Sequence, residues 1–173
     1  IGTVAWADRS DLDAALAAAE RGFALWRKTS AYERAKLMRR AAEILAEWGT
    51  RSGAPVVDVV MPNIFGEHGV PHYNSVIATF CHLVAHGEAP TLMDDKELPL
   101  IHVQQVADLL LDQALTPSPG SLPVRGMPVL VSEVLARLQA IASEYRTGIL
   151  PDLADPFTRD LFNTYRAATF PEQ

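Results

Sequence analysis

The sequence predicts an α/β protein whose N-terminal part is an α-helical hairpin. Three observations carry this. Two capped, apolar-striped helices fill residues 10–48 with a very short link. After Gly53 the pattern turns to short β-branched runs alternating with helix-length segments, which implies a mostly parallel sheet. Hydrophobic residues make up 49% of 173 residues, enough to build one real core.

The elements follow in order. Ser10-Asp-Leu-Asp13 reads as a helix start, a hydroxyl followed by a carboxylate three residues on. Leu12, Leu16, Ala19, Phe23 and Trp26 then form one apolar stripe on a helix ending near Lys28. Ser30-Ala-Tyr-Glu33 opens a second helix, expected to end at Trp48 with Gly49 as its cap. Leu37, Ala41, Ile44, Leu45 and Trp48 form its stripe. The short link Lys28–Ser30 implies an antiparallel pair with Trp26 and Trp48 buried.

Pro55–Met61 reads as a buried parallel strand and Pro62–Tyr73 as a loop rich in Gly, Pro and His. Asn74 or Ser75 starts a helix through His86. Short strands are expected at Thr91–Met93 and Leu98–Val103, around an acidic turn at Asp94, Asp95 and Glu97. Val103–Leu115 is a helix with Val106, Leu109, Leu110 and Ala114 inward, and Thr116–Pro128 is a loop with four Pro and two Gly. Val129–Val131 is extended, Ser132 caps a helix through Tyr145, and Asp155-Pro156 opens the last helix.

Bulk chemistry narrows the function. A net charge of −6 argues against nucleic acid as a partner. No apolar run reaches membrane-spanning length. The lone Cys81 implies a reducing, cytoplasmic setting. Ile1-Gly-Thr-Val4 is already strand-like, and the chain is expected to be a piece of a longer protein.

Tyr32-Glu-Arg-Ala-Lys36 matches Y-x-x-x-K, which places a phenol and an ammonium one helical turn apart. A nearby cation favours the phenolate, so the pair suits general acid–base work on a carbonyl. The same spacing also occurs on solvated helix faces. His82-Leu-Val-Ala-His86 has metal-ligand spacing but no third ligand in sequence, so no metal is expected. Cys81 reads as a small core residue. No Gly-rich strand–turn–helix, P-loop or G-x-S-x-G is present.

Two resemblances follow from longer stretches. Ile1–Asp8, Asp11–Ala19, Phe23–Lys28 and Glu33–Ala42 resemble the N-terminal helical hairpin of aldehyde dehydrogenases, where that hairpin is scaffold. From Arg40 onward the chain resembles the extended short-chain dehydrogenase/epimerase family, most of all the sugar-nucleotide reductases of capsular polysaccharide assembly. Met61–Gly66, Pro71–His82, Leu98–Ala107 and Asp160–Arg166 carry this likeness. It implies a partial Rossmann-like fold. It implies a hairpin at residues 1–48 and the C-terminal half of a dehydrogenase domain at 40–173, sharing one junction helix. It also implies a sugar-nucleotide substrate, NAD or NADP as the parent family's cofactor, and a possible homo-oligomer. By the same resemblance Asn63 lies where sugar nucleotide and nicotinamide meet, His72, Tyr73 and Asn74 lie near the sugar-nucleotide pocket, and His102 near its lid. Asn63 as a turn cap and His102 as a partner of backbone groups are the plainer alternatives.

The Gly-rich cofactor half of that family is missing, so tight cofactor binding is not expected. The family pattern also puts its Tyr near Arg34 and its Lys near Met38, two residues beyond Tyr32 and Lys36. Two residues are about 200° of helix rotation. The expectation is therefore a sugar-nucleotide oxidoreductase remnant, of the 4-keto-sugar reductase or epimerase type, that keeps part of its substrate side and is inactive alone. The alternatives are a non-catalytic chimeric, designed or mis-assembled α/β protein, and an aldehyde dehydrogenase fragment.

Overall fold

The computed structural model describes residues 6–170, which divide into two compact units, 6–54 and 55–170. In the first, α1 spans Arg9–Trp26 and α2 spans Ala31–Ser52. The start of α1 lies earlier than the Ser10 box predicts. Asp8 is the cap: its carboxylate accepts from the Ser10 and Asp11 N–H groups at 2.7 and 3.1 Å, and Asp11 returns the bond to the Asp8 N–H at 2.9 Å. An ionised Asp bonds two first-turn amides and also suits the positive helix end, so it displaces Ser10. Ser30 caps α2 as expected, accepting from the Glu33 N–H at 3.2 Å.

Helix α2 runs past Gly49 and stops at Gly53, which adopts the left-handed conformation (φ 72°). Gly49 has no such requirement and is simply an interior helical residue, while a left-handed C′ position favours glycine.

The packed antiparallel hairpin is not formed. α1 and α2 share no extended interface, and no residue of α1 is buried. Trp26 is 37% and Trp48 49% exposed, correcting the expectation that both indoles are covered. The link fixes a reversal of direction, but each stripe lacks an apolar partner within this unit. One cross-helix contact is Arg34, whose guanidinium carbon lies 6.0 Å from the Trp26 ring centre.

Among the described residues the second unit holds five strands and four helices: β1 (Val57–Val60), β2 (Asn63–Phe65), α3 (Val76–Ala85), β3 (Glu97–His102), α4 (Val103–Leu115), β4 (Gly120–Pro123), β5 (Met127–Leu130), α5 (Val131–Arg146) and α6 (Pro156–Ala168). β1 pairs β4 in parallel, Val57 opposite Gly120. β3 is central in a second sheet, parallel to β2 and antiparallel to β5.

Two strands lie inside predicted loops, β2 within Pro62–Tyr73 and β4 within Thr116–Pro128, whereas Thr91–Met93 is not a strand. Strands of three or four residues are held by their partners and leave little periodic trace. The Pro residues of β4 and β5 fit short edge strands.

The core is a helical layer. Ile77, Phe80, Cys81 and Val84 of α3 meet Val134, Leu138, Ile141 and Ala142 of α5 and Phe157, Leu161, Phe162 and Tyr165 of α6. Helix α4 is less covered than its pattern suggests: Val106 is buried, Leu109 half-buried, and Leu110 and Ala114 exposed.

Ser132 does not cap α5. The N-cap position is Leu130, which has no capping oxygen. Asp95 serves instead, its carboxylate accepting from the Ser132 N–H at 2.9 Å and the Ser132 hydroxyl at 2.8 Å. This long-range cap ties the acidic turn to the helix. Asp95→Ala is expected to lower stability by about 1 kcal/mol. Chemical denaturation checks it, and Asp95→Asn should recover part of the loss.

Asp155 caps α6 as predicted, accepting from the Thr158 N–H and hydroxyl at 3.1 and 2.7 Å. The Thr158 hydroxyl, then its N–H, hold the Asp155 carboxyl below the usual carboxylate range. The depressed folded-state value means that this cap stabilises above the unfolded carboxyl's titration and fades as pH falls below it.

Candidate functional site

β1 ends at Val60, and three residues later Asn63 opens β2. Asn63 thus sits just beyond the carboxyl end of a parallel strand, the side on which open α/β sheets bind ligands. Its side-chain amide donates across the sheet to the Pro99 carbonyl at 3.3 Å. Pro99 faces Pro128 in the β3–β5 register, so neither can donate a backbone bond there. The side-chain amide supplies a donor to a strand position poor in them.

Beside Asn63 is a cavity of about 410 Å³. Asn63, Ile64 and Phe65 form one wall, Leu98 and Leu100 another, and Asn74, Ser75, Val76 and Ile77 a third. The structure therefore brings Asn63 and Asn74 to one hollow. The third wall is the N-terminus of α3, where Ser75 caps by accepting from the Ala78 N–H at 3.3 Å. The lining offers amides, a hydroxyl, a helix N-terminus and apolar floor, but no charged side chain. That set suits hydroxyl and carbonyl recognition through neutral hydrogen bonds.

The other expected residues lie elsewhere. Tyr73 is 75% exposed beside Asn74 in sequence and does not line the cavity. His72 has φ 57°, and its N–H donates to the Thr79 hydroxyl at 2.9 Å. Its ring stands edge-on to His82 at 5.6 Å, and His82 lies 4.2 Å from His86. The His86 Nδ1 is 2.8 Å from the His82 carbonyl. The fold thus adds a third imidazole to the pair visible in sequence. Among the described residues no group of three or more His, Cys, Asp or Glu is arranged to hold a metal ion.

His102 is buried at the junction of β3 and α4 and lines neither this hollow nor its rim. It is the α4 cap, with Nδ1 accepting from the Gln104 N–H at 3.4 Å, and it packs edge-on against Phe65. Its Nε2 lies 3.2 Å from a Glu67 carboxylate oxygen, but off the direction of a hydrogen bond, so that nitrogen is unpaired. Glu67 escaped the sequence reading, because nothing in a lone Glu after Gly66 signals a buried imidazole opposite. Cys81 is buried, and burial pushes its thiol up to about 12, which removes it as a nucleophile.

Tyr32 and Lys36 lie on one face of α2, with Tyr32 73% exposed. They border a hollow whose other walls are Arg39, Arg40 and Glu43 of the same helix. A single helix supplies no apolar enclosure to strengthen an acid–base pair.

A second cavity, of about 600 Å³, lies between the loop Gly66–Pro71, the Ala78, Cys81 and His82 face of α3, and the end of α6. No helix among the described residues is long and apolar enough to cross a membrane.

Comparison with known proteins finds two kinds of likeness. Residues 1–51 match the model of the aldehyde dehydrogenase family. Over 132 residues the chain is 26% identical to the UDP-2-acetamido-2,6-beta-L-arabino-hexul-4-ose reductase of Pseudomonas aeruginosa, covering 73% of this chain and 35% of that one. The capsular polysaccharide assembling protein CapF of Staphylococcus aureus superposes with a TM-score of 0.65 and 28% identity, over 82% of this chain and 40% of its own. The UDP-glucose 4-epimerase of Thermus thermophilus, solved with NAD, has a TM-score of 0.57 over 73% of this chain and 50% of its own; at 19% identity it speaks for the fold alone. The chain spans 35% and 40% of the length of the reductase and of CapF. It is a mixed α/β protein with a partial Rossmann-like fold, similar to a sugar-nucleotide reductase over most of its length and to aldehyde dehydrogenases over its first 51 residues.

Proposed function

We propose that Pro55–Gln173 keeps the substrate side of an NAD(P)-dependent sugar-nucleotide oxidoreductase of the 4-keto-sugar reductase or epimerase type, and that the chain alone binds a sugar nucleotide without turning it over. The observation that carries this reading is the hollow shared by Asn63 and Asn74 at the N-terminus of α3. The two amides match sugar hydroxyls and carbonyls, and the helix end favours a phosphate. Tyr73 and His72, exposed on the loop that leads into Asn74, are available to the same ligand.

The described residues do not fit a nicotinamide dinucleotide. α4 follows β3, and α5 follows β5, without an intervening glycine. Of the glycines after β2, Gly66 packs against Val103 and Gly69 against Ala78, so their missing side chains serve internal contacts and leave no pyrophosphate cradle. Tyr32 and Lys36, two residues out of the family register and open to solvent, take no catalytic role in this reading.

Calorimetric titration with UDP-N-acetylglucosamine should give a dissociation constant of about 0.1–1 mM, weakened at least about tenfold by Asn63→Ala or Asn74→Ala. NADH should show no binding tighter than roughly 100 μM. Absence of UDP-sugar binding removes the substrate-side reading. Low-micromolar NADH binding instead restores a complete oxidoreductase.

A further inference from the structure

Four of the chain's five histidines gather where the loop before α3 meets that helix. His68, His82 and His86 line the cavity of about 600 Å³, and His72 stands edge-on to His82 at 5.6 Å. His82 in turn lies 4.2 Å from His86. Among the described residues, His68 and His72 are also the two non-glycine positions with left-handed backbone, at φ 61° and 57°. Such backbone persists only where its surroundings hold it.

What holds His72 leads to the Asn63 hollow. Its N–H donates to the Thr79 hydroxyl at 2.9 Å, and that hydroxyl donates to the Ser75 carbonyl at 2.9 Å. The Ser75 side chain accepts from the Ala78 N–H at 3.3 Å and caps α3. Ser75 and its neighbour Asn74 line the hollow. Three hydrogen bonds thus join the imidazoles to the helix cap on which the hollow is built.

We propose that His72, His82 and His86 form a proton-sensitive latch on this loop, closed when the rings are neutral and released when they are charged. Its effect on a ligand rests on the substrate-side reading above. Histidine is the side chain that gains charge as pH falls from about 8 to about 5. The carboxyl end of α3, where His82 and His86 lie, accommodates one imidazolium. Further protons set like charges side by side, and the surroundings do not offset them. Among the described residues no carboxylate comes within 4 Å of a nitrogen of these three rings, and Glu67 of the same loop faces His102 instead, at 3.2 Å. His68 faces the same cavity and adds to the positive charge. The Cys81 thiol, pushed up to about 12 by burial, stays neutral. On α5, Glu133 pairs with Arg137, Glu144 is exposed, and Arg146 donates to the Val84 carbonyl. On α6, Asp155 pairs with Arg137, Asp160 accepts from Gln105, Arg159 is exposed, and Arg166 lies over Phe162. Glu88, beyond α3, lines a separate hollow with Arg146. Of the three rings, that of His72 hangs on a loop in strained backbone, so it yields first. Its bond to Thr79 is then lost, and Asn74 loses its fixed place. A ligand that needs Asn74 favours the closed latch, so affinity is full above the imidazole range and falls as pH drops through it.

Hydrogen exchange on the free chain reads the latch without any ligand. From about pH 8 to about pH 5.5, protection of the His72, Ala78 and Thr79 amides, corrected for intrinsic rate, should fall at least about tenfold, while that of the α5 and α6 amides stays level. Over the same range the affinity for UDP-N-acetylglucosamine, whose diphosphate does not titrate there, should fall at least about tenfold. His82→Gln with His86→Gln should keep the α5 and α6 protection and flatten both responses to within about twofold. Loop protection that stays level in the parent overturns the latch. So does a fall that persists in the double variant, which assigns the titration to His102. An affinity that rises on acidification, as direct contact of imidazolium with phosphate would give, or one that does not move, also overturns it. Falling protection with no UDP-sugar binding at any pH removes the substrate-side reading and leaves the latch standing.

Discussion

Leu138→Ala is expected to destabilise the second unit by about 2–5 kcal/mol, the largest loss of any single truncation considered. Leu138 is 0% exposed and sits on α5 in the one cluster joining α3, α5 and α6. Val134, Leu161 and Tyr165, its companions there, are themselves at most 1% exposed, so removing three carbons leaves a void with well-packed walls. Rigid helices on each side resist collapse into it. The probe must be chosen with care, because Trp6, Trp26 and Trp48 all lie in the first unit. Far-UV dichroism reports the helices of both units, so urea unfolding is also followed by hydrogen exchange at the α5 and α6 amides, which reports the second alone. Leu138→Met, nearly equal in volume, should cost less than about 1.5 kcal/mol. A loss below about 1 kcal/mol for the alanine variant would mean that this core is looser than its burial implies.

Gly126→Ala is expected to cost about 1–3 kcal/mol and to disturb ligand binding together with stability. A methyl group at residue 126 would meet the Pro99 carbonyl carbon at 2.6 Å, the Leu100 nitrogen at 2.8 Å and the Pro62 ring at 3.0 Å. Backbone cannot swing aside as a long side chain can, so β3, the strand that receives the Asn63 amide, must shift. Gly126 has no left-handed backbone angle, so the effect is steric and not conformational. The paired measurement is decisive: a melting temperature that falls while UDP-sugar affinity is unchanged would separate Gly126 from the Asn63 hollow. Gly53→Ala supplies the contrast, since nothing lies within 4 Å of its missing side chain and its left-handed angle alone carries the cost.

The sequence was legible where local chemistry and tertiary packing agree. α4 begins at Val103 and ends at Leu115 as read, because the apolar run Leu98–Ile101 gives way after His102 to helical spacing. Asp155-Pro156 marked α6 through cap chemistry alone. Reading failed where the deciding partner is far along the chain. Ser132 looked like a cap, yet Asp95 supplies the oxygen from 37 residues away. β2 looked like loop because three residues hold no period, and only β3 makes them a strand. The amphipathic stripes of α1 and α2 were visible, but a stripe says that something must be covered and not by what. Asn63 and Asn74 were both readable as candidates through family likeness, whereas Gly126 was invisible: no pattern in Val124-Arg125-Gly126 announces a backbone contact with Pro99.

The β1–β4 pairing has a kinetic meaning. Val57 meets Gly120 only after α3, β3 and α4 have been threaded between them, so chain entropy is lost before any hydrogen bond is gained. Once formed, the ribbon is two strands wide, with Val60 on it exposed and both outer edges unpaired among the described residues. Its amides belong to the low end of the protein's opening free energies, while those of α3, α5 and α6 approach the global value. The second unit is then two cooperative blocks in one covalent chain: a helical block that holds structure, and a late-closing parallel ribbon that fluctuates open. Asn63 stands at the seam between them, so occupancy of its hollow by a ligand would slow exchange across the ribbon as well as beside the ligand.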